Sequence, residues 1–120
     1  MTDLAYLTAA EALARFATRE LSPVELMDAV IARAEATEPT VNAFCFTRYD
    51  EARAEAAAAE ARWARGEARP LEGIPLAIKD EMPVAGQPWS MGSLDYRDLV
   101  ADESSPLAQR MLDAGCVQHA

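Results

Sequence analysis

Along the first half of the chain the apolar residues recur every three or four positions, the spacing of helices that bury one face. The pattern predicts a first helix over about Ala9–Thr18, with Leu13, Phe16 and Ala17 inward. A second begins at Ser22-Pro23-Val24-Glu25, where Ser22 can cap, Pro23 suits the first helical position and Glu25 completes a capping box. Val24, Met27, Ile31 and Ala34 form its apolar stripe, and Pro39 is expected to bar its continuation. Val41–Phe46 is short and rich in strand formers, which predicts a strand, and Asp50 is placed to cap a third helix over Glu51–Arg65. That helix carries a narrow seam of Ala52, Ala56, Ala59 and Trp63, and Gly66 closes it.

In the second half the pattern changes. Gly73–Ile78 is a near-continuous apolar run between turn formers and reads as a buried strand. From Asp80 to Asp102 no period persists, and Pro83, Gly86, Pro88 and Gly92 punctuate an irregular segment of a length that usually carries function. A fourth helix starts at Ser105-Pro106, with Leu107, Met111 and Ala114 expected inward, and stops at Gly115. Cys116-Val117 then opens a further strand. Strand, crossing helix and strand are the beginning of a parallel sheet, which needs both faces covered, so the expected class is α/β with the sheet still unfinished at Ala120.

Composition changes this picture little. The 120 residues suit one small domain, but 26 are alanines, which favour helix and bury little area each. A formal charge of -9 with scattered arginines argues against binding nucleic acid through this segment, which needs a basic patch. No run of about 18 apolar residues suggests a membrane span, and the N-terminus lacks the pattern of a signal peptide, so a cytoplasmic protein is expected. Cys45 and Cys116 lack metal-ligand spacing and are read as small buried hydrophobes, and the lone His119 has no partner ligand, so no metal or cofactor is expected.

Charge chemistry singles out one position. Ten of the eleven cations are arginine, and the single lysine, Lys79, follows the apolar run Leu76-Ala77-Ile78. A desolvated ammonium loses proton affinity and can act as a general base near neutral pH, whereas a guanidinium stays charged. The same position also suits a plain surface lysine, with its stem on apolar surface and its charge in water. Asp80 points to the opposite face from Lys79 if the strand continues, so turn hydrogen bonds are its expected role. Ser22 and Ser105 are assigned to helix caps.

Pro70-Leu-Glu-Gly-Ile-Pro-Leu-Ala-Ile-Lys-Asp80, with Val84-Ala-Gly86 and Met91-Gly-Ser93 downstream, resembles the N-terminal part of the amidase signature family. The likeness extends back through Leu21-Ser-Pro-Val-Glu25 and Val41-Asn-Ala-Phe44 and forward to Leu112-Asp-Ala-Gly-Cys116. The resemblance implies the N-terminal fragment of a fold with helices packed around a mixed central sheet, about four helices and two to three short strands of it being present. Residues 1–66 would be mainly helical, and 67–120 would start the core sheet with the catalytic-lysine strand and loop.

It also implies a Ser-Ser-Lys mechanism acting on a small-molecule amide. Lys79 would be the neutral base, a bridging serine would relay its proton, and a second serine would attack the amide carbonyl to form an acyl-enzyme. Met91, Gly92 and Ser93 would belong to the substrate-binding loop. The family's serines lie in a Gly/Ser-rich run, and none occurs among these residues, so the segment by itself is expected to be inactive. Two alternatives stand beside a general amidase: the glutamine-hydrolysing A subunit of the tRNA-dependent amidotransferase, from which Lys-Asp-Glu-Met-Pro-Val departs, and a non-catalytic truncated product or interaction module.

Overall fold

The computed structural model describes residues 3–120, and its element order is helix, helix, helix, strand, helix, strand. The helices are α1 (Ala9–Thr18), α2 (Pro23–Val41), α3 (Tyr49–Arg65) and α4 (Pro106–Asp113), and the strands are β1 (Pro75–Leu76) and β2 (Val117–Gln118). Short 3-10 turns form at Leu4–Tyr6 and Leu94–Tyr96. The expected α/β class and the helix count are both present.

The local signals act where the sequence places them. Thr8 and Ser22 each accept from the backbone amide three residues on, while Glu11 and Glu25 reach back to complete capping boxes. Ser105 caps α4 in the same way, with Pro106 at the first helical position. Gly66 closes α3 in the left-handed conformation.

Several expectations are corrected. Pro39 does not stop α2, which runs on to Val41 and ends in a left-handed Asn42. The proline sits in the last turn, so it removes one hydrogen bond near the helix end and leaves the earlier turns untouched. Val41–Phe46 forms no strand, because the Glu38 carboxylate takes the amides of Ala43 and Phe44 at 3.1 and 3.0 Å and turns the chain away from the helix. Asp50 lies inside α3, which starts at Tyr49; Arg48 holds the cap position without a side-chain cap, its guanidinium being spent on Glu55 and the Gln118 carbonyl. On α1 and α4 the buried positions are Ala12, Phe16 and Ala108, whereas Ala17 and Leu107 are exposed. Cys116 is buried as expected, but Cys45 is exposed.

Two apolar clusters meet under the strands. Met27 and Ile31 of α2 pack on Ala52 and Ala56 of α3 and on Val117 of β2. Phe16, Leu21 and Leu26 join α1 to α2, with Trp63 and Ile74 against them. The alanine seam lets α3 approach α2 closely, and burying Met27 or Ile31 completely is worth roughly 1.5–3 kcal/mol each.

β1 and β2 pair in parallel, Pro75 opposite Val117 and Leu76 opposite Gln118. Hydrogen bonds extend well beyond the named strands, from Leu71 N–H to the Ala114 carbonyl at 2.8 Å through to Ile78 N–H and the Ala120 carbonyl at 3.1 Å. At the start of this pairing Glu72 is 1% exposed. Arg69 grips its carboxylate through Nε at 2.6 Å and Nη2 at 2.9 Å, and Trp63 Nε1 donates to its carbonyl at 3.0 Å. Burial pushes the Glu72 carboxyl up, but the Arg69 hydrogen bonds and the Arg69 and Arg62 charges outweigh it and hold it below the usual range.

Gly115 completes the knot. Its φ is +106°, and a Cβ there would stand 2.7 Å from the Glu72 Cα and 2.9 Å from its N. Gly115→Ala is therefore expected to cost about 3 kcal/mol or more, against about 1 kcal/mol for Gly66→Ala, where a Cβ meets nothing within 4 Å. Urea unfolding of the two variants checks the difference; equal midpoints would show that the contact at Gly115 carries no weight.

Candidate active-site cleft

The carboxyl ends of parallel strands are where α/β folds open crevices for ligands. Beyond β1 the chain leaves the strand at Ala77 and reaches Lys79 and Asp80 at the mouth of a cleft of about 290 Å³. The lining is mostly apolar: Phe44 and Phe46 before α3 make one wall, and Ile78, Val84 and Pro88 also line it. Gln118 and Ala120 of the β2 segment complete the lining.

Lys79 is not desolvated here. Its side chain is 72% exposed, and its Nζ pairs with Glu81 at 2.9 Å. A pair in this much solvent adds about 1 kcal/mol at most, so the ammonium is free to reorient toward the cleft. The expected buried strand end is replaced by an extended segment past a shorter strand, which leaves the lysine on the surface of these residues.

Asp80 does the ordering in this loop. It accepts from Ser90 Oγ at 2.7 Å, from Gly92 N–H at 3.1 Å and from Ser90 N–H at 3.4 Å. Its expected role in turn hydrogen bonds is what the structure contains. Burial pushes its carboxyl up, yet the hydrogen bonds from Ser90, Gly92 and the Cys45 thiol hold it below the ordinary carboxylate range. Burial and the Asp80 charge in turn push the Cys45 thiol up. Cys45 therefore reports on the cleft wall and is a poor nucleophile at neutral pH.

Met91, Gly92 and Ser93 form a turn at the far side of Asp80. Met91 and Gly92 both have positive φ, 53° and 72°, and Met91 is 43% exposed. Ser93 caps the Leu94–Tyr96 turn by accepting from Asp95 N–H at 3.3 Å. The three residues stand outside the lining of the Lys79 cleft and are joined to it through Asp80. The lining residues that sequence reasoning missed are Phe44, Cys45 and Phe46, which looked like a strand; their signal was the Glu38 placed to catch the amides behind them.

The irregular segment is otherwise well tied. Pro88 and Val100 form an antiparallel bridge, Trp89 N–H donates to the Leu99 carbonyl at 2.9 Å, and Trp89 Nε1 to the Glu81 carbonyl at 3.2 Å. Gln87 and Gln118 exchange two side-chain hydrogen bonds at 2.8 and 2.9 Å, pinning the segment to β2.

Residues 25–119 match the family model described as Amidase. The chain belongs to the amidase signature family. It is 41% identical over 98% of its length to the A subunit of a glutamyl-tRNA(Gln) amidotransferase from Chloroflexus aggregans, covering 24% of that protein. Among solved structures, a bacterial aryl acylamidase of the amidase signature enzymes superposes with a TM-score of 0.89 at 28% identity, over 99% of this chain and 25% of the other. A peptide amidase from Stenotrophomonas maltophilia gives 0.86 at 29% identity, over 96% of this chain and 24% of the other. The chain spans about a quarter of the length of these amidase relatives.

Asp80→Asn replaces an acceptor pair with one acceptor and one misdirected donor facing the Ser90 and Gly92 amides. The expected cost is about 1–2 kcal/mol, with faster hydrogen exchange at Ser90 and Gly92 and none at the helices. Unchanged exchange at both amides would show that the loop holds itself without the carboxylate.

Proposed function

We propose that this segment supplies the lysine base, Lys79, and one wall of the substrate cleft to an enzyme that cleaves non-peptide carbon-nitrogen amide bonds through a Ser-Ser-Lys mechanism. The observation that carries the reading is the position of Lys79 at the carboxyl end of β1, at the mouth of a cleft, within a chain of this family. A serine nucleophile needs a neutral base within hydrogen-bond reach, and lysine provides one once its ammonium is desolvated. The 72% exposure of Lys79 among these residues fits a base whose dry surroundings come from elements other than these helices and strands.

The walls favour an uncharged amide. Phe44, Phe46, Ile78, Val84 and Pro88 offer apolar surface, and among the described residues Lys79 is the one cation lining the cleft, next to Asp80. The reading as a glutamine-hydrolysing A subunit keeps one specific support, the 41% identity to a relative of that name. Lys-Asp-Glu-Met-Pro-Val after β1 weighs toward a general amidase. No cofactor is called for by either reaction.

The 120 residues alone are expected to turn over neither an anilide such as p-nitroacetanilide nor glutamine, since no Gly/Ser-rich run carrying the family's serines occurs among them. In a polypeptide that joins this segment to a Gly/Ser-rich stretch, Lys79→Ala and Lys79→Arg should each lower kcat/KM by roughly 10²–10⁴-fold. Comparing the two substrates separates amidase from glutaminase. Full activity in Lys79→Arg would sink the base assignment, because a guanidinium does not give up its proton at neutral pH.

A further inference from the structure

His119 lies one residue past β2 and is 6% exposed. Its ring meets Phe44 edge to face, with centroids 5.7 Å apart and planes at 79°, and lies near Tyr49 with centroids at 6.4 Å. Its Nδ1 is buried with no hydrogen-bond partner among the described residues. The main chain cannot relieve this, because His119 N–H donates to the Leu76 carbonyl at 2.9 Å and its carbonyl accepts from Arg48 N–H at 3.0 Å. A neutral imidazole carries one proton, and an imidazolium carries one on each nitrogen. Protonation therefore adds a charge to an apolar site and, at Nδ1, a buried donor with no acceptor.

Phe44 is the shared element. It packs against the His119 ring and also lines the Lys79 cleft together with Gln118 and Ala120, the chain neighbours of His119. We infer that His119 is an acid-sensitive latch: as a neutral ring it holds the Phe44–Phe46 wall of the cleft against β2, and protonation releases that wall. The latch stands apart from the amidase reading, since it concerns the shape of the cleft and not what binds there.

The groups around the ring do not rescue the charged form. From α3 come the Tyr49 phenol, itself pushed up by burial and then by the Glu38 and Glu35 charges, and Arg48, a cation. From the end of α2 comes Glu38, whose two carboxylate oxygens are engaged by the Ala43 and Phe44 amides. On the remaining side His119 itself lines a groove with Ile74 and Pro75, and the other groove residues, from the Leu4–Tyr6 turn, α1 and α2, are apolar. The aromatic contacts available to an imidazolium are weaker than the cost of taking its charge out of water.

The direction follows from linkage. Burial lowers the His119 pKa from its ordinary value of 6.5. The contribution of the neutral ring to stability is present in full above about pH 6.5, where the unfolded chain is also neutral, and is lost as pH falls through the folded value. The loss begins as pH falls below about 6.5, above the ordinary range of carboxylate protonation.

An NMR titration of the 120-residue chain from pH 7.5 to 4.5 tests the latch. The His119 ring is expected to titrate below its ordinary value of 6.5, with the Phe44 ring and the Cys45 and Phe46 amides shifting on the same midpoint while Ser90 and Gly92 stay fixed. In urea, the folded-to-unfolded ratio should fall about tenfold for each unit between the folded and unfolded His119 values, and His119→Phe should abolish that step. A His119 midpoint at or above 6.5, or residues 44–46 that do not follow it, overturns the proposal. Should His119→Phe fail to fold, the wild-type titration decides alone.

Discussion

A carboxylate buried between two chain crossings governs the geometry of this segment. Glu72 lies just ahead of β1, and its neighbours come from every direction: Arg69 from its own loop, Arg62 and Trp63 from α3, Gly115 from the turn into β2. A buried charge is costly unless paired, and removing a partner costs more than the pair is worth. The carboxylate is satisfied here with the Arg69 fork closed over it, in an arrangement that leaves no room for a Cβ at position 115. That arrangement brings residues 114–120 alongside 71–78, and the parallel ladder follows from it. With only two residues in each formal strand, the ladder would be weak without such a clasp.

The position of Lys79 is a consequence. The clasp fixes the start of β1, the ladder carries the register to Ile78, and the next residue clears the pairing at the carboxyl edge. The cleft forms there because β2 ends on the same side and the Phe44–Phe46 segment crosses in front of it. α3 holds that segment in place from behind: Arg48 binds the carbonyls of Gln118 and His119, through its guanidinium and its amide respectively.

What could be read in the sequence was whatever depends on neighbours in the chain. The capping box at Ser22, Pro106 after Ser105, and Gly66 behind α3 act within one turn, and these helix ends stand where the signals put them, while the equivalent box at Thr8 went unread. The Lys79 motif was legible for a similar reason, since the family likeness rests on contiguous residues. What depends on distant partners was not legible. Arg48, rather than Asp50, begins α3 because its guanidinium is committed to a carbonyl seventy residues away. Phe44 reads as a strand residue, yet it answers to His119 and to the carboxylate of Glu38. The exposure of Lys79 is likewise a matter of what stands around it in space, on which an apolar run of neighbours is silent.

The acidic balance takes on meaning at this level. A net charge of -9 argues against nucleic-acid binding, but three of the acids also serve the structure: Glu38, Glu72 and Asp80 each accept main-chain amides from irregular backbone. Irregular backbone leaves amide donors unpaired, and a carboxylate with two oxygens is the side chain that can take two of them at once. The three acids thus stand in for a sheet edge: Glu38 sets the apolar wall of the cleft, Glu72 the strand pairing and Asp80 the loop beyond the lysine. For Glu72 and Asp80 the same hydrogen bonds favour the ionised form, so their contribution is present above the ordinary carboxylate range and lost as pH falls through their lowered values. The framework of the cleft is in that sense held by charge, while its wall at Phe44 is held by a ring that must stay neutral. Both kinds of constraint ask for the deprotonated form, ionised acids and an uncharged His119, so near-neutral pH satisfies them together and acidification removes both.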